Sequence, residues 1–200
     1  FQMQFEPSVM PPRDVYHWMT RLINPRPIAW VSSISNQGIP NLAPYSFFNG
    51  VGSTPPTLLF CPANRRDGSP KDTLANIQQV GEFVVNIVTL PLAEAMHRTA
   101  SELDPEIDEF DFASLEKRDS SKVKVPRVAA ALAAFECELM QIHSLASGPG
   151  AANIVVGRIV AFYVSDSLLN DDGQFNSRSL NTIGRMGDLD YSTTDVRFSI

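Results

Sequence analysis

The sequence predicts a mainly β chain with peripheral helices, arranged as an antiparallel barrel. Three observations carry this. The apolar segments are short, rich in Val, Ile and Phe, and set apart by turn residues, as strands are. About six such strands are interrupted by only two or three helical stretches, so the strand–helix alternation of a doubly wound parallel sheet is missing. No Pro-, Gly- or Ser-rich linker and no internal repeat divides the 200 residues, so the strands share one core. We therefore read residues 1–200 as a single domain, with an N-terminal extension over 1–20 and a C-terminal tail over 181–200.

The elements follow in order. Ile28 to Ile34 (IAWVSSI) reads as a strand, and Asn36-Gln37-Gly38 supplies a turn. Asn41 to Phe48 (NLAPYSFF) is extended; Pro44 lacks an amide donor and suits an edge or a bulge. Thr57 to Cys61 is a short buried strand. Lys71 to Val80 is helical, and Glu82 to Val88 is a strand. Pro91 to Ala100 is a second short helix with proline near its start. The acidic stretch Ser101 to Asp111 reads as a solvated loop or helix edge. In Ala133 to His143, Phe135, Cys137, Leu139 and Ile142 are candidate core positions. Asn153 to Val164 is near-continuously apolar, which predicts burial on both faces, as at a subunit interface.

Composition excludes several functions. The hydrophobic fraction of 44% supports a real core, and the 19% charged residues are few enough to point to surface covered in an oligomer. A net charge of −6 with no basic stripe argues against nucleic-acid binding. The longest apolar run, Val128 to Phe135, is too short to span a bilayer. No basic segment followed by an apolar one opens the chain, so no signal peptide is expected, although the start at Phe1 leaves the native terminus open. Cys61 and Cys137 sit in strand-like surroundings and read as reduced thiols, which fits a cytoplasmic location. His17, His97 and His143 are far apart without metal-ligand spacing, so a protein metal site is disfavoured. There is no nucleophile elbow and no glycine-rich dinucleotide fingerprint.

Two stretches carry candidate chemistry. In Pro62 to Ile77 (PANRRDGSPKDTLANI), Ser69 is read as an N-cap, Pro70 as the first helical residue and Asp72 as the far member of a capping box. A helix start presents unpaired N–H groups and partial positive charge. With Arg65, Arg66, Lys71 and the Thr73 hydroxyl it could cradle a phosphate. The same residues also suit a capped surface helix, and the Asp72 carboxylate would compete for the N–H groups. Asn41 to Pro56 (NLAPYSFFNGVGSTPP) reads as a loop able to offer backbone groups to a flat heteroaromatic ligand, or as a loop anchored by Phe47 and Phe48. Trp30 is either core or ligand wall. Arg185 and Tyr191 are either a lid or an oligomer contact.

Taken in order, NPRPIAWVSS (Asn24–Ser33), NLAPYSFFNGVGSTPPTLLFC (Asn41–Cys61), GSPKDTLANI with GEFVVNI, FECEL, NIVVGRI and IGRMGDLDY resemble the flavin reductase-like family over roughly Arg21 to Asp195. That family has an FMN-binding split β-barrel fold and includes reductase components of two-component flavin monooxygenases.

The resemblance implies a homodimer with FMN near the subunit interface. It implies that the strand carrying Arg26, Trp30 and Ser32 lines the pocket, and that the segment of Pro44, Tyr45, Ser46, Phe47 and Asn49 cups the isoalloxazine ring. Arg65, Arg66, Lys71 and Thr73 would hold the phosphate, with Asp72 binding Lys71 or the ribityl hydroxyls. Arg185 is counted with the cofactor-binding residues. The implied activity is NAD(P)H-dependent reduction of flavin, delivered to free flavin or to a partner monooxygenase or other acceptor protein. Family reductases often carry a C-terminal histidine motif near the nicotinamide, whereas no histidine follows His143 here. Two rival readings remain: an FMN electron carrier without NAD(P)H activity, and a split-barrel binder of another ligand such as haem.

Overall fold

A computed structural model describes residues 3–200; Phe1, and with it the native start, lies outside the described residues. After one 3-10 turn (Pro7–Val9) comes helix α1 (Pro12–Leu22), most of it inside the stretch read as an N-terminal extension. Proline at its first positions, Asp14 in the first turn and Arg21 in the last suit a helix and its dipole. There follow β1 (Arg26–Pro27), β2 (Ala29–Ile34), β3 (Pro40–Tyr45), β4 (Phe48–Ser53), β5 (Pro56–Phe60), α2 (Asp72–Val80) and β6 (Glu82–Ile87). The second half holds α3 (Ala93–Arg98), α4 (Glu109–Phe112), β7 (Lys117–Arg118), β8 (Arg127–Val128), β9 (Ala133–Ser144), β10 (Asn153–Val164), β11 (Ile183–Arg185) and β12 (Tyr191–Thr193).

Seven strands form one antiparallel sheet in the order β3-β2-β6-β9-β10-β5-β4. Its two edge strands, β3 and β4, are consecutive in the chain, with only Ser46 and Phe47 between them. Three Cα–Cα steps reach about 11 Å at most, so the sheet must curl until its edges meet. That is the predicted barrel with peripheral helices. Pro44 sits on an edge strand opposite Trp30, as its missing amide donor predicts. The segment read as a loop, Asn41 to Pro56, is instead the two edge strands and the corner between them.

Strand β2 shows why both faces of the sheet matter. Ala29 and Val31 point into the barrel with Leu58, Phe60, Phe83, Cys137 and Val155. Trp30, one residue out of phase, joins an outer core of Leu42, Val88, Met96 and Phe110. Helix α2 plugs the barrel core with Leu74 and Ile77. At the β9–β10 bulge, a Cβ on Gly157 would lie 2.3 Å from Cζ of Phe83, so only glycine fits. The first half of β10 is buried or half-buried apart from Arg158, whereas Phe162 is 62% and Val164 39% exposed because no described element of this one chain covers them; the burial expected there is that of a subunit interface, which takes a second chain. β11 and β12 pair back on β1.

Candidate functional site

Two adjoining clefts run along edge strand β3. The first, about 130 Å³, is lined by Asn41, Pro44, Tyr45, Arg65, Lys71, Asp72, Thr73, Thr99 to Leu103, and Glu109. The second, about 240 Å³, is lined by Tyr16, Ile28, Pro44, Ser46, Met96, His97, Ala100, Arg185 and Tyr191. Pro44 and Ala100 line both, so the two clefts adjoin there, and we call the two together the groove.

The first cleft is built on the start of α2. The helix begins at Asp72, with Lys71 in the N-cap position and no side chain capping it. The expected cap at Ser69 is corrected: Ser69 Oγ donates to Oδ1 of Asp67 (2.6 Å) in the preceding turn, two residues too early. The first helical hydrogen bond runs from Ala75 N–H to Lys71 C=O (3.0 Å). The N–H groups of Asp72, Thr73 and Leu74 are therefore left without helical acceptors at the cleft. Asp72 does not compete for them, nor does it pair with Lys71; its carboxylate takes the Arg65 guanidinium. Lys71 is half-buried and has no ion-pair partner among the described residues. Thr73 is buried, and its hydroxyl accepts from Asn41 Nδ2 (2.7 Å), which leaves its own proton free to donate.

Two further groups line this cleft, one expected elsewhere and one not expected at all. Tyr45 was expected at a ring site, yet it lines the cleft at the α2 end. Its buried hydroxyl lies near that of Thr73 but makes no well-directed hydrogen bond. Burial, with Asp72 and Glu109 nearby, pushes its pKa up. Glu109 corrects the reading of its whole neighbourhood as solvated carboxylates: it is only 6% exposed. Its Oε2 accepts from the backbone N–H of Leu42 (3.0 Å). Burial pushes its pKa up to about 7, with Asp72 and Asp108 adding to the rise and the Leu42 N–H opposing it. The signal that could have found it is Phe110, an apolar residue in an acidic run, with Asp108 as the N-cap of α4.

In the second cleft, Arg185 stacks over the Tyr191 ring (4.5 Å to its centroid), and its Nη2 donates to Asp188 C=O (2.6 Å). Its Nη1 is buried without a partner. The Tyr191 hydroxyl lies 3.5 Å from Nδ1 of His97, a residue brought in by α3. Arg185 and Tyr191 thus share one cleft wall.

The remaining candidates lie elsewhere. Trp30 is fully buried in the outer core and donates from Nε1 to the Thr99 hydroxyl (2.9 Å), so it stands behind the cleft wall. Ser32 is fully buried and donates to Pro126 C=O (2.6 Å). Arg26 is buried and consumed by structure: it donates to the carbonyls of Thr20 (2.6 Å), Ile23 (2.8 Å) and Met186 (2.9 Å), and from Nε to Ser46 Oγ (3.2 Å). It braces α1 and the tail around the cleft instead of lining it. Phe47 lies beside Arg26 and Tyr16. Asn49 is exposed on edge strand β4, and Arg66 is exposed on the turn before α2; neither reaches the groove. Among the described residues no group of three or more His, Cys, Asp or Glu is placed to hold a metal ion. No described helix is long and apolar enough to cross a membrane.

Known proteins share this architecture. Component B of nitrilotriacetate monooxygenase from Bacillus cereus is 31% identical, with a TM-score of 0.93 over 100% of this chain and 99% of that one. The 2-nitrobenzoate 2-nitroreductase of Pseudomonas fluorescens is also 31% identical, with a TM-score of 0.89 over 99% and 95%. A split barrel domain protein of Shewanella frigidimarina, 24% identical over 100% and 98%, has a TM-score of 0.83 and speaks for the fold. The profile described as "Flavin reductase like domain" matches residues 19–180. The chain therefore has the split-barrel fold and belongs to the flavin reductase-like family.

Proposed function

We propose that the protein binds FMN along the groove and uses NAD(P)H to reduce flavin, passing the electrons to an acceptor. The observation that carries this is that both ends of the groove hold donors without partners. At one end lie the uncapped α2 N-terminus, the unpaired Lys71 and the Thr73 hydroxyl; at the other lies the partnerless Nη1 of Arg185. An elongated ligand with an anionic head and a carbonyl-bearing ring answers both ends. Lys71, Thr73 and the first turn of α2 would hold the phosphate, Tyr45 the ribityl chain, and Pro44, Ser46 and Arg185 the ring edge. Bound FMN supplies the redox chemistry, accepting hydride from NAD(P)H and delivering electrons onward. The chain contributes placement, exclusion of water and donors that favour negative charge on the ring.

Support for nicotinamide use comes from His97. The sequence lacks a histidine near its C-terminus, but α3 brings one against Tyr191 at the ring end. For the acceptor, the likeness to a monooxygenase component B supports a partner monooxygenase, and the likeness to a nitroreductase supports a nitroaromatic compound as the second reading. We further propose a homodimer, because edge strand β4 and the outer half of β10 leave Val51 and Phe162 exposed. A cytoplasmic location accords with two free cysteines.

An absorption spectrum of the purified protein, followed by anaerobic addition of NADH and then NADPH, tests the reading. Flavin bands that bleach within a turnover support it. Bands that bleach only with dithionite leave an electron carrier fed by another protein. A colourless protein that takes up no added FMN refutes it.

A further inference from the structure

We infer that Glu109 takes up a proton as a phosphorylated ligand enters the cleft at the start of α2, and thereby acts as an acid partner of the phosphate. The inference rests on the proposed phosphate site and goes beyond it, because a carboxylate in such a cleft would otherwise repel the ligand.

The geometry makes Glu109 the odd member of the cleft. The other carboxylate there, Asp72, is neutralised by Arg65. Among the described residues Glu109 pairs with no cation, and its side chain makes one directed bond, to the Leu42 N–H on β3. Its surroundings add more negative charge than positive. From α4 itself come Asp108 and Asp111, both already paired with Lys117 of β7. From the segment after α3 comes Glu102, and from α2 and its approach come Arg65, Lys71 and Asp72. From β3 comes Tyr45, neutral at ordinary pH and pushed higher still by burial.

In that setting the Glu109 carboxyl already holds its proton more tightly than an exposed glutamate, because burial penalises the charged form. A phosphate dianion in the same cleft is a like charge at short range, and raises the carboxyl further. The proton comes from solvent and stays on Glu109 while the ligand is bound. The protonated carboxyl then offers the ligand a hydrogen-bond donor in place of a charge. Linkage fixes the sign: a group whose pKa is higher in the complex binds protons on association, so affinity falls as pH rises between the free and bound pKa values.

Isothermal titration at pH 8, in two buffers of different ionisation enthalpy, counts the protons. A phosphate monoester, with its second pKa about 6, is already dianionic there, so uptake reports the protein. We expect uptake approaching one proton per FMN in the wild type, little with riboflavin, and little with FMN in Glu109→Gln. FMN affinity should also fall by up to roughly tenfold per pH unit above pH 8 in the wild type only. FMN binding without uptake in the wild type overturns the inference and leaves the FMN reading standing. Uptake that persists in Glu109→Gln overturns it as well. A wild type that binds no FMN removes the reading and the inference together. Should Glu109→Gln fail to fold, the wild-type contrast between FMN and riboflavin decides.

Discussion

Replacing Lys71 with alanine tests the proposed phosphate end of the groove. Its side chain is half-buried at the cleft, caps nothing and pairs with no carboxylate among the described residues. Folding should therefore change by less than about 0.5 kcal/mol, the range for surface substitutions away from caps and networks. Ligand binding is another matter. A hydrogen bond to a charged group is worth roughly 1.5–3 kcal/mol when one partner is removed. FMN affinity should then drop about 10- to 150-fold. Riboflavin lacks the phosphate and should bind the variant and the wild type alike. Quenching of flavin fluorescence on titration with protein reads both constants, and a thermal melt checks the fold. The reasoning fails if FMN affinity is unchanged, or if FMN and riboflavin lose affinity equally, since neither pattern fits a phosphate contact.

Other perturbations probe the frame. Gly157→Ala forces a Cβ to within 2.3 Å of the Phe83 ring; overpacking costs about 1–3 kcal/mol, so Tm should fall by several degrees, and pairing the change with Phe83→Leu should restore much of the loss. Trp30→Ala empties the outer core and removes the indole N–H that donates to the Thr99 hydroxyl, which keeps its own bond to Met96 C=O, with an expected cost of about 3–5 kcal/mol in denaturant melts; a change confined to flavin affinity would contradict its placement. In the ligand-free protein the contribution of Glu109 to stability should be lost as pH rises from about 4.5 to about 7, because Glu109 holds its proton more tightly folded than unfolded. Glu109→Gln should flatten that part of the pH–Tm profile; a profile identical to wild type would contradict the burial argument. Phe162→Asp should shift the protein toward monomer in light scattering if β10 forms the proposed interface; an unchanged mass would remove β10 from it.

Most of the frame was legible because strands announce themselves through local pattern. IAWVSSI, EFVVNI and NIVVGRIVAFYV each carry enough β-branched and aromatic residues to read as strands alone. Pro44 announced an edge through a missing donor. Helix α1 escaped because its apolar side faces no core of its own chain; only Thr20 is buried. The cap of α2 was misplaced because Ser69 satisfies itself on Asp67 within a turn, a choice local pattern does not resolve.

For the site, the sequence determined which polar groups gather at the proposed phosphate end: Arg65, Lys71, Asp72 and Thr73 lie within nine residues around one helix start. Only the tertiary structure decided which of them are free. Arg65 spends itself on Asp72, Arg26 on three carbonyls, and Lys71 is left over. It also brought His97, Glu109 and Arg185 to one groove from three distant segments. Residue type fixes what a side chain can donate or accept. Whether it is buried, paired or idle depends on neighbours through space, and those neighbours are set when the sheet curls and its two edges meet.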